Sequence, residues 1–439
     1  MNRLMLEARV KRLERLVYNK YKMFEGGAAG HMKHIYDYTD LTLADVKNII
    51  TNLFSGKGEV TDITEKLDGM NIQCTLNNDG VLVFVRNKSD LNSKVGGMTR
   101  DDVIGRWAGK EHVLEVYLSA YDTIDEVFQK IGKEFFNPDE NTKILANCEC
   151  IIAGKTNILM YANAQVDFHN LWVYTRKDKN SQWEKSEVTR DGIEVLERAC
   201  EGITGAQLTP KVSIRTTDES RKLLAYYINN IDSIFKAAGL HSDNSTIDEY
   251  RHARFVDLCA DEYPWILKNP NGTEVLYNRW FNEDKSVNLR EIKKMYKDIL
   301  VDLHLVDPVD INSVTEFINS VDSVDSKEIV FTCMQPLDLF FSMFGNTIIS
   351  LCDGIVNAGV ESKVIDTLSN DLKKIVSEIN TNGSDELKDK LTTQLKRLDK
   401  LGNKLNAAEG IVFKYGDRLM KCTGSFASVN QILGMRFQM

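Results

Sequence analysis

Apolar positions recur at near-helical spacing from the start of the chain, where Leu4, Leu6, Val10, Leu13, Leu16 and Val17 are separated by Arg, Lys and Glu. This predicts an N-terminal amphipathic helix over 1–25, broken by Gly26-Gly27-Ala28-Ala29-Gly30. A second helix is expected from Thr42, whose hydroxyl can cap the first turn while Asp45 sits at the positive end of the dipole, to about Phe54. The texture then changes to strand-like runs at 60–66, 71–76 and 81–86, the last two joined by Asn77-Asn78-Asp79-Gly80, a strong hairpin signal. Further strands are expected at 144–152 and 168–174. From about residue 188 to 402 the pattern is helical almost throughout, with Leu223, Tyr226, Tyr227, Ile231 and Ile234 forming one side of a helix. Strand character returns at 410–415 and 419–423, around Gly416-Asp417. The pattern therefore predicts an α+β chain. A mostly antiparallel sheet, built from 26–187 and completed by strands from 403–439, encloses an all-helical insert at 188–402.

Composition narrows the class. The 439 residues are enough for two lobes, and 43% hydrophobic residues is the proportion of a globular protein. A formal charge of -9 argues against a protein that coats nucleic acid along its whole surface, so any such contact must be local. A stretch richer in cations than the chain's average, with Arg86, Lys88, Lys94, Arg100 and Arg106, is either that local face or an ordinary solvated surface. Eight cysteines lack the paired spacings of a zinc ribbon or a disulfide scaffold, which fits a reducing compartment. Cys148 and Cys150, two apart in an apolar run, would share one face of a strand as core thiols. His31 and His34 would make half a metal site with no third ligand evident. No apolar run approaches the roughly 20 residues that span a bilayer, and the N-terminus does not read as a signal peptide. The expectation is a cytoplasmic protein with no membrane partner, or one packaged from inside a cell.

The segment that carries chemistry is Glu65-Lys66-Leu67-Asp68-Gly69-Met70-Asn71. A lysine at a strand end, an acid two residues on, and a glycine that lets backbone approach are suited to holding an amine against a phosphate. The amine is a nucleophile only when deprotonated, so its site must disfavour the ammonium by desolvation or by nearby cations. The same fragment also describes an ordinary surface hairpin. Its company changes the reading: Arg86 follows on the next strand, Glu149 lies in Asn147-Cys148-Glu149-Cys150, Glu409-Gly410-Ile411-Val412-Phe413-Lys414 comes near the end, and Lys421 follows.

In that order these segments resemble the motifs of the covalent nucleotidyltransferase superfamily, which contains ATP-dependent DNA ligases, RNA ligases and messenger RNA capping enzymes. The resemblance implies an ATP-grasp-like ligase adenylation core in which Lys66 attacks the α-phosphate of ATP, expels pyrophosphate and becomes a lysyl-nucleotide. It implies that Glu149 and Glu409 stand around the ribose and a Mg²⁺ ion, while Arg86, Lys414 and Lys421 offset phosphate charge; Glu65 and Asp68 would belong to the same nucleotide-binding set. Carboxylate oxygens suit Mg²⁺, and fixed cations suit the charge that develops in phosphoryl transfer. Asn71 is similar to the residue at that place in the second class of phage RNA ligases and the trypanosome editing ligases, although those relatives usually carry histidine where Asp68 stands. Phe168, in Val166-Asp167-Phe168-His169-Asn170-Leu171-Trp172, is similar to the aromatic that stacks on the purine; a core aromatic is the alternative.

Three departures bound the resemblance, which covers about residues 24–175 and 405–425. The last motif has one lysine, Lys421, with Arg418 nearby, where two usually alternate. Glu149 and Glu409 lie 409 − 149 = 260 residues apart, which marks the helical block as an addition. Only 439 − 421 = 18 residues follow Lys421, too few for an oligonucleotide-binding barrel. The expected activity is an ATP-dependent polynucleotide ligase, with RNA a better acceptor than DNA. The alternatives are transfer to a non-ligase acceptor, or an inactive ligase-fold protein of a tailed bacteriophage virion that meets a protein partner through the N-terminal helix or the helical insert.

Overall fold

The computed structural model describes residues 32–67, 69–85, 88–93, 95–151, 159–160, 163–178, 181–187, 190–307, 311–355, 359–360 and 408–424. The expected N-terminal helix and the segment from 361 to 407 lie outside them. The strands used below are β1 (Val60–Lys66), β2 (Met70–Leu76), β3 (Leu82–Val85), β4 (Thr142–Ile151), β5 (Gln165–Thr175), β6 (Glu184–Glu187), β7 (Ala206–Leu208), β8 (Gly410–Tyr415) and β9 (Arg418–Thr423). The longer helices are α1 (Leu43–Ser55), α2 (Arg100–Trp107), α3 (Glu111–Ile131), α4 (Arg190–Cys200), α5 (Asp218–Ala237), α6 (Ile247–Glu262), α7 (Pro270–Phe281), α8 (Leu289–Asp302), α9 (Ile311–Ser320) and α10 (Ser326–Leu351).

The chain is α+β with antiparallel sheets, but among the described residues the strands named above divide between two sheets where the sequence pattern predicts one, and two further pairs of two-residue strands stand apart from both. β1 pairs with β8, and β8 with β9, in a three-stranded antiparallel sheet whose first strand lies more than 340 residues in sequence from the hairpin of the other two. The second sheet runs β3-β2-β4-β5-β6, with β7 beside β5 as a parallel strand. The division falls between β1 and β2. Leu67 is buried there, and Gly69 passes so close to β4 that a Cβ would sit 2.8 Å from the Cys150 carbonyl oxygen and from Glu149 Cγ. The chain therefore crosses from one sheet to the other instead of turning back on itself.

Local signals act as expected. Thr42 caps α1, accepting from the Asp45 N–H at 3.1 Å while its own N–H donates to Asp45 Oδ2 at 2.9 Å. Asn77 Oδ1 accepts from the Asp79 and Val81 amides, and Gly80, at φ 78°, closes the β2–β3 turn. Behind the second sheet, α3 buries Ile124, Val127 and Phe128 against Ile72, Cys74, Cys148 and Phe168.

The helical block is not the separate excursion that its position in sequence suggests. α1, α5 and α10 form one layer behind the three-stranded sheet: Phe54, Tyr227, Ile231, Phe340, Phe344 and Ile348 share a buried cluster with Ile411, Phe413, Met420 and Cys422. Strands so far apart in sequence need this backing, since a three-stranded sheet has one face to bury and cannot do so alone. The packed side of α5 is Tyr227, Ile231 and Phe235, whereas Tyr226, expected on that side, is 49% exposed. β7 also lies within the block, so it contributes to the second sheet as well. A satellite core of Phe255, Trp265, Leu276, Ile292, Tyr296 and Ile329 holds the remaining helices together.

At that satellite, a turn of π-helix at Val321–Asp325 aims Asp322 at Arg279, whose Nε and Nη2 donate at 2.6 and 3.0 Å, and at Trp280 Nε1, which donates at 3.0 Å. Burial pushes the Asp322 carboxyl up, but these donors outweigh it and hold the group below its ordinary 3.8. A carboxyl depressed in the folded state adds stability that is present above the unfolded value and lost as pH falls through the folded one. Asp322→Asn is therefore expected to cost about 1–3 kcal/mol at pH 7, and the gap from wild type should close below about pH 4. Thermal unfolding of both proteins from pH 7 to 3 checks this; a gap that is unchanged at pH 3 rules it out. No helix of the described residues is long and apolar enough to cross a membrane.

Candidate functional site

Lys66 ends β1, and Glu409 immediately precedes β8. The antiparallel register sets Lys66 opposite Gly410, so the strand pairing itself delivers the two side chains to one place. Lys66 Nζ lies 2.6 Å from Glu409 Oε1, across 343 residues of sequence, with side chains 18% and 10% exposed. On β9, Lys421 stands opposite Val412, and strand alternation puts it on the same face as Lys66. It is buried, and its N–H donates to the Lys33 carbonyl at 3.0 Å. Lys414 shares that face farther out, 3.8 Å from Asp62.

The face of the second sheet that carries Glu149 supplies the other half. Glu149 is opposite Asn71 on β2 and opposite Asp167 on β5. Its Oε1 accepts from the Gly69 amide at 3.0 Å, and its Oε2 lies 3.5 Å from both Asn71 Nδ2 and His169 Nε2. Gly69 is three residues beyond Lys66, so the two Cα atoms are at most about 11 Å apart, three virtual bonds of about 3.8 Å. The connection from β1 to β2 therefore links the Lys66–Glu409 pair to Glu149. Both cysteines beside Glu149 are buried on the opposite side with Cys74; alternation leaves the carboxylate no other direction.

Two of the expected nucleotide contacts lie elsewhere, for identifiable reasons. Phe168 points away from Glu149 and is 1% exposed, its ring 6.2 Å from that of Phe128 in the helix-covered core. A β-bulge between Asn147 and Cys148 inserts one extra residue on β5, and that residue, His169, is turned into the site beside Glu149. Thr209, just past β7, holds the His169 ring through a 2.7 Å contact between Oγ1 and Nδ1. Glu65 alternates with Lys66; opposite Ile411, it is fully buried on the helix-covered side. Its side chain cannot line the same space as Lys66. Asp68 and Arg86 lie outside the described residues.

His169 and Asp167 are site residues that the sequence motifs pass over. Asp167 is fully buried and accepts 2.7 Å bonds from Gln165 Nε2 and Gln207 Nε2; burial raises its carboxyl more than these donors lower it. The signal available for His169 was its place next to Phe168, but only a known bulge says which of the two faces the site.

The cation-rich stretch is mixed in sign. Arg100 pairs with Asp122 at 3.4 Å, and Arg106 shares an open cavity of about 450 Å³ with Asp90 and Asp102. Lys94 is outside the described residues, as is His31; His34 stacks on Tyr36 at 5.0 Å. Among the described residues no group of three or more His, Cys, Asp and Glu side chains could hold a metal ion by itself. Glu149 and Glu409 are two carboxylates each already engaged by a donor, a set suited to Mg²⁺ only in company with phosphate and water oxygens.

The arrangement can do three things chemically. It sets a primary amine in hydrogen-bond contact with a carboxylate, places a buried lysine on the same sheet face, and holds a second carboxylate beside an imidazole across a short connection. No family model matches the chain, and no curated protein matches it.

Proposed function

We propose that the chain is a nucleotidyltransferase of the ATP-dependent ligase type, in which Lys66 takes up a nucleotide and hands it to a polynucleotide end, RNA in preference to DNA, in the cytoplasm. The observation that carries this reading is the 2.6 Å contact between Lys66 Nζ and Glu409 Oε1, made by two motif residues 343 positions apart. In the proposed step the Lys66 ammonium gives a proton to Glu409, a transfer that partial desolvation of the pair favours. The freed lone pair forms an N–P bond to the α-phosphate, the bond from that phosphorus to the bridging oxygen breaks, and pyrophosphate leaves. Lys421, buried on the same face, offsets charge developing on the phosphate oxygens. Mg²⁺, held by Glu149 together with the triphosphate oxygens, would neutralise the charge of the incoming nucleotide when bound, since Glu409 serves as the proton acceptor in this step. His169 offers a ring beside Glu149 in the place expected of Phe168.

The test is incubation with ATP labelled at the α-phosphate and Mg²⁺. A label that survives denaturing electrophoresis and is released by acid is the expected result, and no retained label overturns the reading. Passage of the label to 5′-phosphorylated RNA or DNA then identifies the acceptor.

A further inference from the structure

One row along from Glu149, the same sheet face carries a line of amides. Gln73 on β2 is directly opposite Asn147 on β4, which is directly opposite Asn170 on β5. The row Asn71–Glu149 is two residues away along each strand, about 7 Å. Gln73 is 2% exposed and Asn147 7% exposed. Gln73 Nε2, a donor, and Asn147 Oδ1, an acceptor, are both shut off from solvent with no hydrogen-bond partner among the described residues. Trp172 Nε1, on the same face past Asn170, is a third such atom. The other end of the Gln73 amide accepts from Tyr174 Oη at 3.5 Å, so whichever way that amide is turned one end stays unmet.

Folded proteins satisfy nearly all buried polar atoms, because one left without a partner costs much of what its hydrogen bond to water was worth. Such atoms gathered on one face, beside groups suited to phosphate chemistry, indicate partners that arrive with a ligand. Side chains opposite one another on paired antiparallel strands have Cβ atoms about 5 Å apart. The adjacent hydrogen-bonding groups on the edge of a nucleobase, one donor and one acceptor, match an amide pair at that spacing.

We propose that Gln73 and Asn147 read the hydrogen-bonding edge of the base of a bound nucleotide, and so set its base preference. This rests on the reading of Lys66 as a nucleotide acceptor only for the identity of the nucleotide's destination; binding of the base is a separate event. A base offering a donor beside an acceptor satisfies both orphaned atoms at once, whereas an analogue without the exocyclic donor leaves Asn147 buried and unmet. Sites of that kind reject the deficient analogue strongly.

The experiment uses the full chain, with adenosine, guanosine, cytidine, uridine and purine riboside monophosphates as probes. Tryptophan fluorescence, thermal shift and calorimetry report binding, and the triphosphates report loading of Lys66. Wild type should bind one nucleotide at least tenfold more tightly than the rest and reject purine riboside. Gln73→Leu and Asn147→Leu keep the volume and remove an orphaned group. Each should fold, melt no lower than wild type without nucleotide, and reduce the preferred probe's advantage at least tenfold. Binding and discrimination without any Lys66 adduct would sink the transfer reading and leave this inference standing. Equal binding of all probes, no binding of any, or leucine variants that keep the wild-type preference would overturn the inference. Variants that melt well below wild type while discriminating normally would also overturn it, showing the amides to be water-linked structural groups.

Discussion

Lys66→Ala should abolish covalent nucleotide uptake completely, and Glu409→Gln should slow it by a factor on the order of 10²–10³ while leaving the fold intact. The amine is the only group at that position able to form the N–P bond in the proposed step, so its loss has no partial substitute. Glu409 contributes by receiving the proton and holding Nζ at 2.6 Å. A glutamine keeps the shape and can still accept a hydrogen bond, but it is not a base and carries no charge, and a preorganised polar group removed from a reacting centre typically costs that much. Strand pairing of β1 with β8 is made by backbone bonds, so neither variant should melt far from wild type. Lys66→Arg is the sharper control, because it keeps the ion pair and the charge but is not nucleophilic at any accessible pH. Wild-type rates of label uptake in Glu409→Gln, or residual Lys66-independent label in Lys66→Ala, would remove the basis for assigning the pair its chemical role.

Phe344→Ala should destabilise the protein by about 3–5 kcal/mol, the usual cost of emptying a large aromatic site, which is a large share of the roughly 5–15 kcal/mol that holds a domain folded. Phe344 is fully buried on α10, its ring 5.8 Å from Phe54 and 5.3 Å from Tyr227 in edge contacts, and 6.3 Å from Phe340 in a stacked one. It therefore joins α1, α5 and α10 behind β8 and β9 in one cluster. One position further along α10, Gly345 packs directly against the Thr423 carbonyl at the end of β9. Loss of this backing should lower nucleotide uptake along with the melting temperature, because Glu409 leads into β8 and Lys421 lies on β9, the strands it supports. Phe331→Ala, on the same helix but 41% exposed, provides the comparison and should stay within about 0.5 kcal/mol. Denaturant midpoints measure both. If the two variants prove equally mild, the helices are not integral to the strand pair.

Much of the local structure was legible from residue order. Thr42 with Asp45 announces the start of α1, Asn77 to Gly80 the β2–β3 turn, and Gly416-Asp417 the β8–β9 turn, because caps and tight turns are decided within four residues. The alternation that buries Cys148 and Cys150 also turns Glu149 to the other face, and that too could be read directly. Alternation within a strand, however, says nothing about which strand lies beside it. The predicted single sheet became two because the choice between pairing β1 with β2 or with β8 depends on the burial of Leu67 and the close passage of Gly69 across β4. The helical block looked independent for the same reason: an apolar face on α10 is visible in the sequence, but what covers it is not.

The sequence by itself determined β1 to β5, β8 and β9 with their turns, the capped helix, the order of the lysine and carboxylate motifs, and the side of each strand on which their side chains emerge, since these follow from short-range sterics and hydrogen bonding. Tertiary structure alone decided that Lys66 meets Glu409, that a bulge presents His169 and hides Phe168, and that Glu65 faces the helices. It also lined up Gln73 with Asn147 across two strands. These outcomes depend on register between segments distant in the chain, and register is fixed by the burial and packing of the whole.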